Sequence, residues 1–245
     1  MLLLYNIIII IIKSKLNIMN HIDVESTYLT YLKLFEGLNI PIGYNKVACD
    51  LSFNNGITAK YLVDKKNFKR VYLFDNKNIT FNNSIFVINS SNVSFGTIAH
   101  IKFDFIISLG GVTNLNPLYE AIQNIYQLLN IGGRLLIAIY PDIFNDAGKD
   151  VLSLLSNLLE IPVKEKLLRL HRLLYNGVSN IFNSVREFEI LQDISANEIK
   201  SFYMLDGYSN FICNNKKDII KFFAPLDKVG KRFYFGWNVI EAFKL

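Results

Sequence analysis

Asp50 closes the short apolar run Val47-Ala48-Cys49, and Gly56 opens the stretch Ile57-Thr58-Ala59-Lys60-Tyr61-Leu62. The run reads as a buried parallel strand and the stretch as a helix. Strand, tight polar turn and helix make the first half of a nucleotide-cofactor site. Glycine lets the backbone approach a ligand, and a helix start offers free N–H groups to it. Ser52 and Asn54 stand where such a loop usually carries further glycines. Taken alone, the turn is equally an ordinary strand-turn-helix. A second acid, Asp75, closes Arg70-Val71-Tyr72-Leu73-Phe74, nineteen residues beyond Gly56. At that spacing a carboxylate offers two acceptor oxygens to the two hydroxyls of a ribose; the plain alternative is an acid ending a strand.

The elements that must position these residues follow in order. Asp23 to Leu38 carries apolar residues at helical spacing, with Gly37 to end it. After Asp75, Asn76 to Asn83 is polar and too short for a crossover helix of normal length. Ile85-Phe86-Val87-Ile88 is a third strand and Phe103 to Ser108 a fourth, followed by a loop, Leu109 to Asn116. Pro117 starts a helix to about Leu129, and Asn130-Ile131-Gly132-Gly133 stops it. Arg134 to Tyr140 is a fifth buried strand, ended by Pro141.

The chain has 245 residues, enough for one large α/β domain, and a formal net charge of +5 with no long basic block. That distribution gives no argument for a nucleic-acid partner. Two cysteines, Cys49 and Cys213, are no disulfide framework, and a reduced, cytoplasmic setting is expected. Leu2 to Ile12 is apolar apart from Asn6 but shorter than the roughly 20 residues that span a bilayer. Residues 1–20 are read as an extension outside the fold. Three readings of it stay open: a weakly ordered tail, a membrane-touching segment, or an over-long start before Met19. Residues 21–245 are read as a single domain. No metal-ligand cluster, Gly-x-Ser-x-Gly or phosphate-loop lysine is present in the sequence.

The block Phe103 to Tyr140 reads Phe-Asp-Phe-Ile-Ile-Ser, a Gly-containing loop, Asn-Leu-Asn-Pro, a helix, and Leu-Leu-Asn-Ile-Gly-Gly-Arg-Leu-Leu-Ile. With the Asp50-to-Gly56 turn and Asp75 in register, this order of parts resembles the class I, Rossmann-like S-adenosylmethionine-dependent methyltransferases over about Lys46 to Tyr140. The resemblance implies an α/β fold: a mostly parallel sheet with helices on both faces and an antiparallel edge strand. It implies S-adenosylmethionine as cofactor. Asp50, Ser52, Asn54 and Gly56 would line its methionine part and Asp75 would hold the ribose. Ser90 and Ser91, where an acid is common, would lie near the adenine. Ser108 to Val112, Gly110 included, would flank the methionine and the transferred methyl. In-line transfer from a sulfonium needs orientation more than acid or base, so no catalytic side chain is assigned. The expected acceptor is a small molecule, a carboxylic acid first among them.

The remaining residues are read as follows. Asp142 to Leu159 is a helix, Lys164 to Tyr175 a basic amphipathic helix with His171, and Arg186 to Leu191 a strand. Ser195-Ala196-Asn197-Glu198 is a capping box opening a further helix. Arg232 to Phe243 is the last strand, antiparallel at the sheet edge as in the family. Tyr203, Tyr208, Tyr234 and Trp237 are candidate acceptor-pocket aromatics, with core packing as the alternative. The replaced glycines and the short 76–83 link favour a second reading, a methyltransferase-like binding or scaffold protein without turnover. A third keeps the fold with a nicotinamide cofactor, against which the Gly132-Gly133 entry and the last strand speak.

Overall fold

The structure is a computed structural model that describes residues 31–75, 83–89, 98–115, 117–143, 163–195, 230 and 232–245. Seven strands form one sheet: β1 (Val47–Asp50), β2 (Arg70–Asp75), β3 (Ile85–Asn89), β4 (Phe103–Leu109), β5 (Leu129–Ile143), β6 (Ser184–Ser195) and β7 (Arg232–Phe243). Their order across the sheet is β3-β2-β1-β4-β5-β7-β6. The strands β3 to β5 pair in parallel, as near-continuous apolar runs buried on both faces must. Antiparallel pairing enters at the far edge through β7, which lies between β5 and the outermost strand β6.

Four helices are described: α1 (31–37), α2 (Ile57–Asp64), α3 (Leu118–Leu128) and α4 (Val163–Ser179). Side chains alternate across a strand, which sorts these helices by face. Arg134, Arg186, Ile190 and Glu241 project from one face. There Arg134 donates to Leu38 O and Asn39 O at the end of α1, and a Cβ on Gly37 would stand 2.8 Å from Ile190. Phe35 of α1 stacks on Tyr61 of α2 at 4.1 Å, so α1 and α2 share that face. Glu187 projects from the other face and pairs with His171 of α4. A Cβ on Gly177 of α4 would stand 2.7 Å from Ile122 of α3, so α3 and α4 lie together there.

Two expectations about β5 are corrected. Residues Leu129 to Gly133 belong to the strand, and the strand does not end at Pro141. Ile139 pairs with Asn238 and Asp142 with Gly236, so two residues of β5 stand opposite Trp237 alone. Proline lacks the N–H a ladder needs, and a bulge is where a strand accommodates it. Asp142 and Ile143 are therefore strand, where a helix was expected; the rest of that stretch lies outside the described residues. Ser195 likewise ends β6, and the helix expected after it lies outside the described residues, as do 1–30 and 76–82. The basic helix is present as α4, with Leu170, Leu174 and Val178 buried and Arg169 and Arg172 exposed. Among the described residues no helix is long and apolar enough to cross a membrane.

Candidate cofactor site

The chain leaves β1 through α2 toward β2 and leaves β4 through α3 toward β5, in opposite directions across the sheet. A crevice opens where such connections diverge, outside the carboxyl ends of β1 and β4, and open α/β sheets bind ligands there. Asp50 ends β1, Asp75 ends β2, and Ser108 lies one residue before the end of β4. Asp50 and Asp75 point to the same face, since Asp50 pairs with Leu73, two residues before Asp75. Both carboxylates are buried, at 0 % and 2 % exposure.

Asp50 spans the turn. Its Oδ1 accepts from Ser52 N–H and its Oδ2 from Ala59 N–H, each at 2.9 Å. Burial pushes its carboxyl up to about 6; the hydrogen bonds from Ser52 and Ala59 oppose this, and the charge of Asp75 adds to it. The same burial, with the charge of Asp50, raises the neighbouring Cys49 thiol, which is a buried small residue of the core as expected.

Ser52 and Asn54, read as replaced glycines, are hydrogen-bonded and 1 % exposed each. Asn54 donates Nδ2–H to Thr58 Oγ1 at 2.7 Å and accepts from Thr58 N–H at 3.4 Å, which ties the loop to the first turn of α2, whose N-cap is Gly56. Ser52 Oγ accepts from Leu109 N–H at 3.0 Å. In return Ser108 Oγ donates to Leu51 O at 3.2 Å and accepts from Val112 N–H at 2.7 Å. Two serines thus fasten the β1 loop to the β4 loop. Gly111 makes that approach possible, because a Cβ there would lie 1.9 Å from Leu51 O. The left-handed backbone of the turn falls at Phe53, Asn55 and Gly56 (φ 53°, 57° and 75°), and Ser52 and Asn54 need no glycine-only angles.

The expected free N–H groups at the helix start are not free. Ile57 N–H donates to Asn54 O, and the amides of Thr58 and Ala59 bond Asn54 and Asp50. Burial of Asp50, Ser52 and Asn54 orders the turn through its own side chains. Gly110 has φ 78° and donates its N–H to Ala138 O at 2.8 Å, which joins the β4 loop to β5. Ser90 and Ser91 lie outside the described residues. Asp50, Ser52, Asn54, Gly56, Ser108 and Gly110 are brought together, with Asp75 acting on Asp50 from β2. Sequence reasoning missed the fastening partners Thr58 and Leu109 and the left-handed Phe53.

Trp237 is fully buried and donates Nε1–H to Gln192 Oε1 at 2.8 Å, so it is a core residue of the β6–β7 wall. Tyr203 and Tyr208 lie outside the described residues. Among the described residues no cluster of His, Cys, Asp and Glu could hold a metal.

No protein-family model matches the sequence, and neither does any curated protein. Solved structures do match. One is a chain from the complex of the Haloferax volcanii Trm112 methyltransferase activator with a candidate methyltransferase. It is 11 % identical, with 91 % of this chain and 94 % of that chain covered and a TM-score of 0.52. A second is a candidate sarcosine dimethylglycine methyltransferase from Galdieria sulphuraria, 16 % identical, covering 89 % and 85 %, with a TM-score of 0.47. A third is the Haemonchus contortus phosphoethanolamine N-methyltransferase 2 with S-adenosyl-L-methionine, 13 % identical, covering 87 % of this chain and 51 % of that one, at 0.47. The fold is the Rossmann-like fold of class I methyltransferases.

Proposed function

We propose that the crevice above β1 and β4 binds S-adenosylmethionine and that the protein transfers its methyl group to a small molecule, a carboxylic acid being the first acceptor to try. One observation carries the reading. Asp50, Asp75 and Ser108 stand at the carboxyl ends of β1, β2 and β4, beside the point where the chain's connections diverge across the sheet, and this supports the reading.

At the nucleoside half the reading rests on Asp75, since Ser90 and Ser91 lie outside the described residues. Asp75 is a buried carboxylate at the end of β2, with two acceptor oxygens for a ribose diol. The methionine half would meet the β1 turn and Ser108 to Val112. When bound, S-adenosylmethionine supplies an electrophilic methyl group. The chain's own contribution is placement: Ser52 and Ser108 fix the two loops against each other, and Asp50 and Asn54 fix the turn to α2. A carboxylate acceptor is already a nucleophile and needs no base.

A second reading, a methyltransferase-like binding protein without turnover, is favoured by the same fastening. The amides of Ser52, Ile57, Thr58, Ala59, Leu109, Gly110 and Val112 all have partners within the chain. A ligand there must use other donors or displace these. Calorimetric titration of the protein with S-adenosylmethionine and S-adenosylhomocysteine separates the readings. Micromolar binding, followed by methyl transfer in a screen of small carboxylic acids, supports the enzyme. A cooperatively melting protein that binds neither ligand supports the second reading.

A further inference from the structure

We propose that Asp50 is a positioning residue for the cofactor: its ionised carboxylate, held between the amides of Ser52 and Ala59, keeps the β1–α2 turn in its binding form, and binding is lost when it takes up a proton. This rests on the cofactor reading above. The resemblance placed Asp50 against the methionine part of the ligand; the geometry gives it a different task. Each of its two oxygens is engaged by the chain itself, one by Ser52 N–H and one by Ala59 N–H. Asp50 acts through the turn that these two bonds enclose.

An ionised carboxylate accepts at both oxygens. A neutral carboxyl carries a hydrogen on one of them, and that oxygen becomes the weaker acceptor, without the charge that strengthens its bond to a backbone N–H. The Ser52 hydroxyl, which also bonds the carboxylate, loses the same charge assistance, so protonation weakens the ties of the turn. Within the turn, Phe53 and Asn55 hold left-handed backbone that side-chain-bearing residues adopt only when their surroundings impose it. Weaker ties free them toward ordinary angles and move the loop that Ser52 fastens to Leu109.

Among the described residues no cation acts on Asp50 to hold it ionised. Asp75 on β2 works against its charge. From β4 the residue opposite is the apolar Ile107, and from β2 it is the apolar Leu73. α2 offers the Ala59 amide, while Lys60 is taken up by an exposed ion pair with Asp64. On its own strand Cys49 is a thiol held neutral by burial. Burial is the largest influence, and the balance sets the carboxyl at about 6, where mild acidification neutralises it.

The test joins two measurements on the full chain. The first is calorimetric titration with S-adenosylmethionine and with S-adenosylhomocysteine at about pH 5 and about pH 7.5. With only the ionised form competent, both ligands should bind about tenfold more weakly at the lower pH. The thioether product lacks the sulfonium charge but keeps the α-ammonium group, so an equal loss for both ligands excludes attraction to the sulfonium, and the ligand-free measurement below assigns the effect to the turn. A loss confined to S-adenosylmethionine overturns the proposal in favour of direct charge attraction. The second measurement needs no ligand: the amide NMR signals of Ser52 and Ala59 should move together with one midpoint near about pH 6. Asp50→Asn, which cannot take up the proton, should bind with the same affinity at both pH values. Binding of the wild type that is equal at both pH values overturns this inference and leaves the cofactor reading standing. Amides that stay fixed through the range overturn it as well. Absence of binding at every pH overturns the cofactor reading and the inference with it.

Discussion

Asn54 does at the start of α2 what a glycine could not: its side chain bonds Thr58 twice. Asn54→Ala should lower stability by about 1 kcal/mol, the usual net worth of a buried hydrogen bond, as read by urea unfolding. An unchanged midpoint would remove the fastening role. Ser52→Gly strips the acceptor from the buried Leu109 N–H and should cost a further ~1–3 kcal/mol, which contradicts the idea that Ser52 is merely a worn glycine. At Asp75 the expectation concerns ligand. Asp75→Ala should weaken S-adenosylmethionine about tenfold, the order of one charge-assisted hydrogen bond, and equal affinity in the titration would sink the ribose assignment. The acids at strand ends were readable because type and spacing alone identify them. The fastening was not, since Ser52 meets Leu109 across 57 residues of sequence. A polar residue in a glycine's place reads as damage until its partner is known.

At the level of elements, the strands were legible wherever an apolar run of four or more stood between turns, and β2 and β7 begin and end where the sequence placed them. β5 was misjudged because a bulge is a matter of pairing, and pairing with β7 is absent from any local window. Two elements are tied down by charge. Lys244 donates Nζ–H to Tyr126 O and Leu129 O, each at 2.9 Å, and so closes the C-terminal end of α3. Glu241 on β7, fully buried, pairs with Arg134 of β5 and Arg186 of β6. Burial, with the charge of Arg186, pulls the Arg134 guanidinium down to about 10. Removing this anion leaves the mostly buried Arg134 without its carboxylate, while Arg186 is largely solvated. Glu241→Ala should therefore destabilise by roughly 3–5 kcal/mol, the usual cost of breaking a buried pair. A loss under ~1 kcal/mol in chemical denaturation would mean that the network contributes little.

For the molecule as a whole, the composition pointed to one α/β domain and the resemblance to a mostly parallel sheet with the last strand at its edge; the structure corrects that last point, since β7 lies between β5 and β6 and β6 is outermost. One stability term of the whole protein is also carried by a single buried group. The Asp50 carboxyl lies near 6 when folded against an ordinary value of 3.8, so the folded chain binds this proton first as pH falls. Stability relative to Asp50→Asn should then rise between about pH 6 and about pH 4, by on the order of 3 kcal/mol in total, and stay flat above about pH 7. Denaturant titrations of both proteins across that range measure it; a flat difference would place the carboxyl at its ordinary value. Fold and ligand thus ask opposite things of Asp50, one favouring the neutral form and the other the ionised form. The place of β7 carries a different consequence, one of timing. β6 touches the sheet only through β7, and β7 pairs Phe243 with both Arg134 and Ser184. During synthesis, β6 leaves the ribosome before β7, its partner among the described residues. Until residues 232–243 emerge, the nascent chain carries the five parallel strands and β6 without its partner, so the antiparallel end of the sheet is the last part that can close.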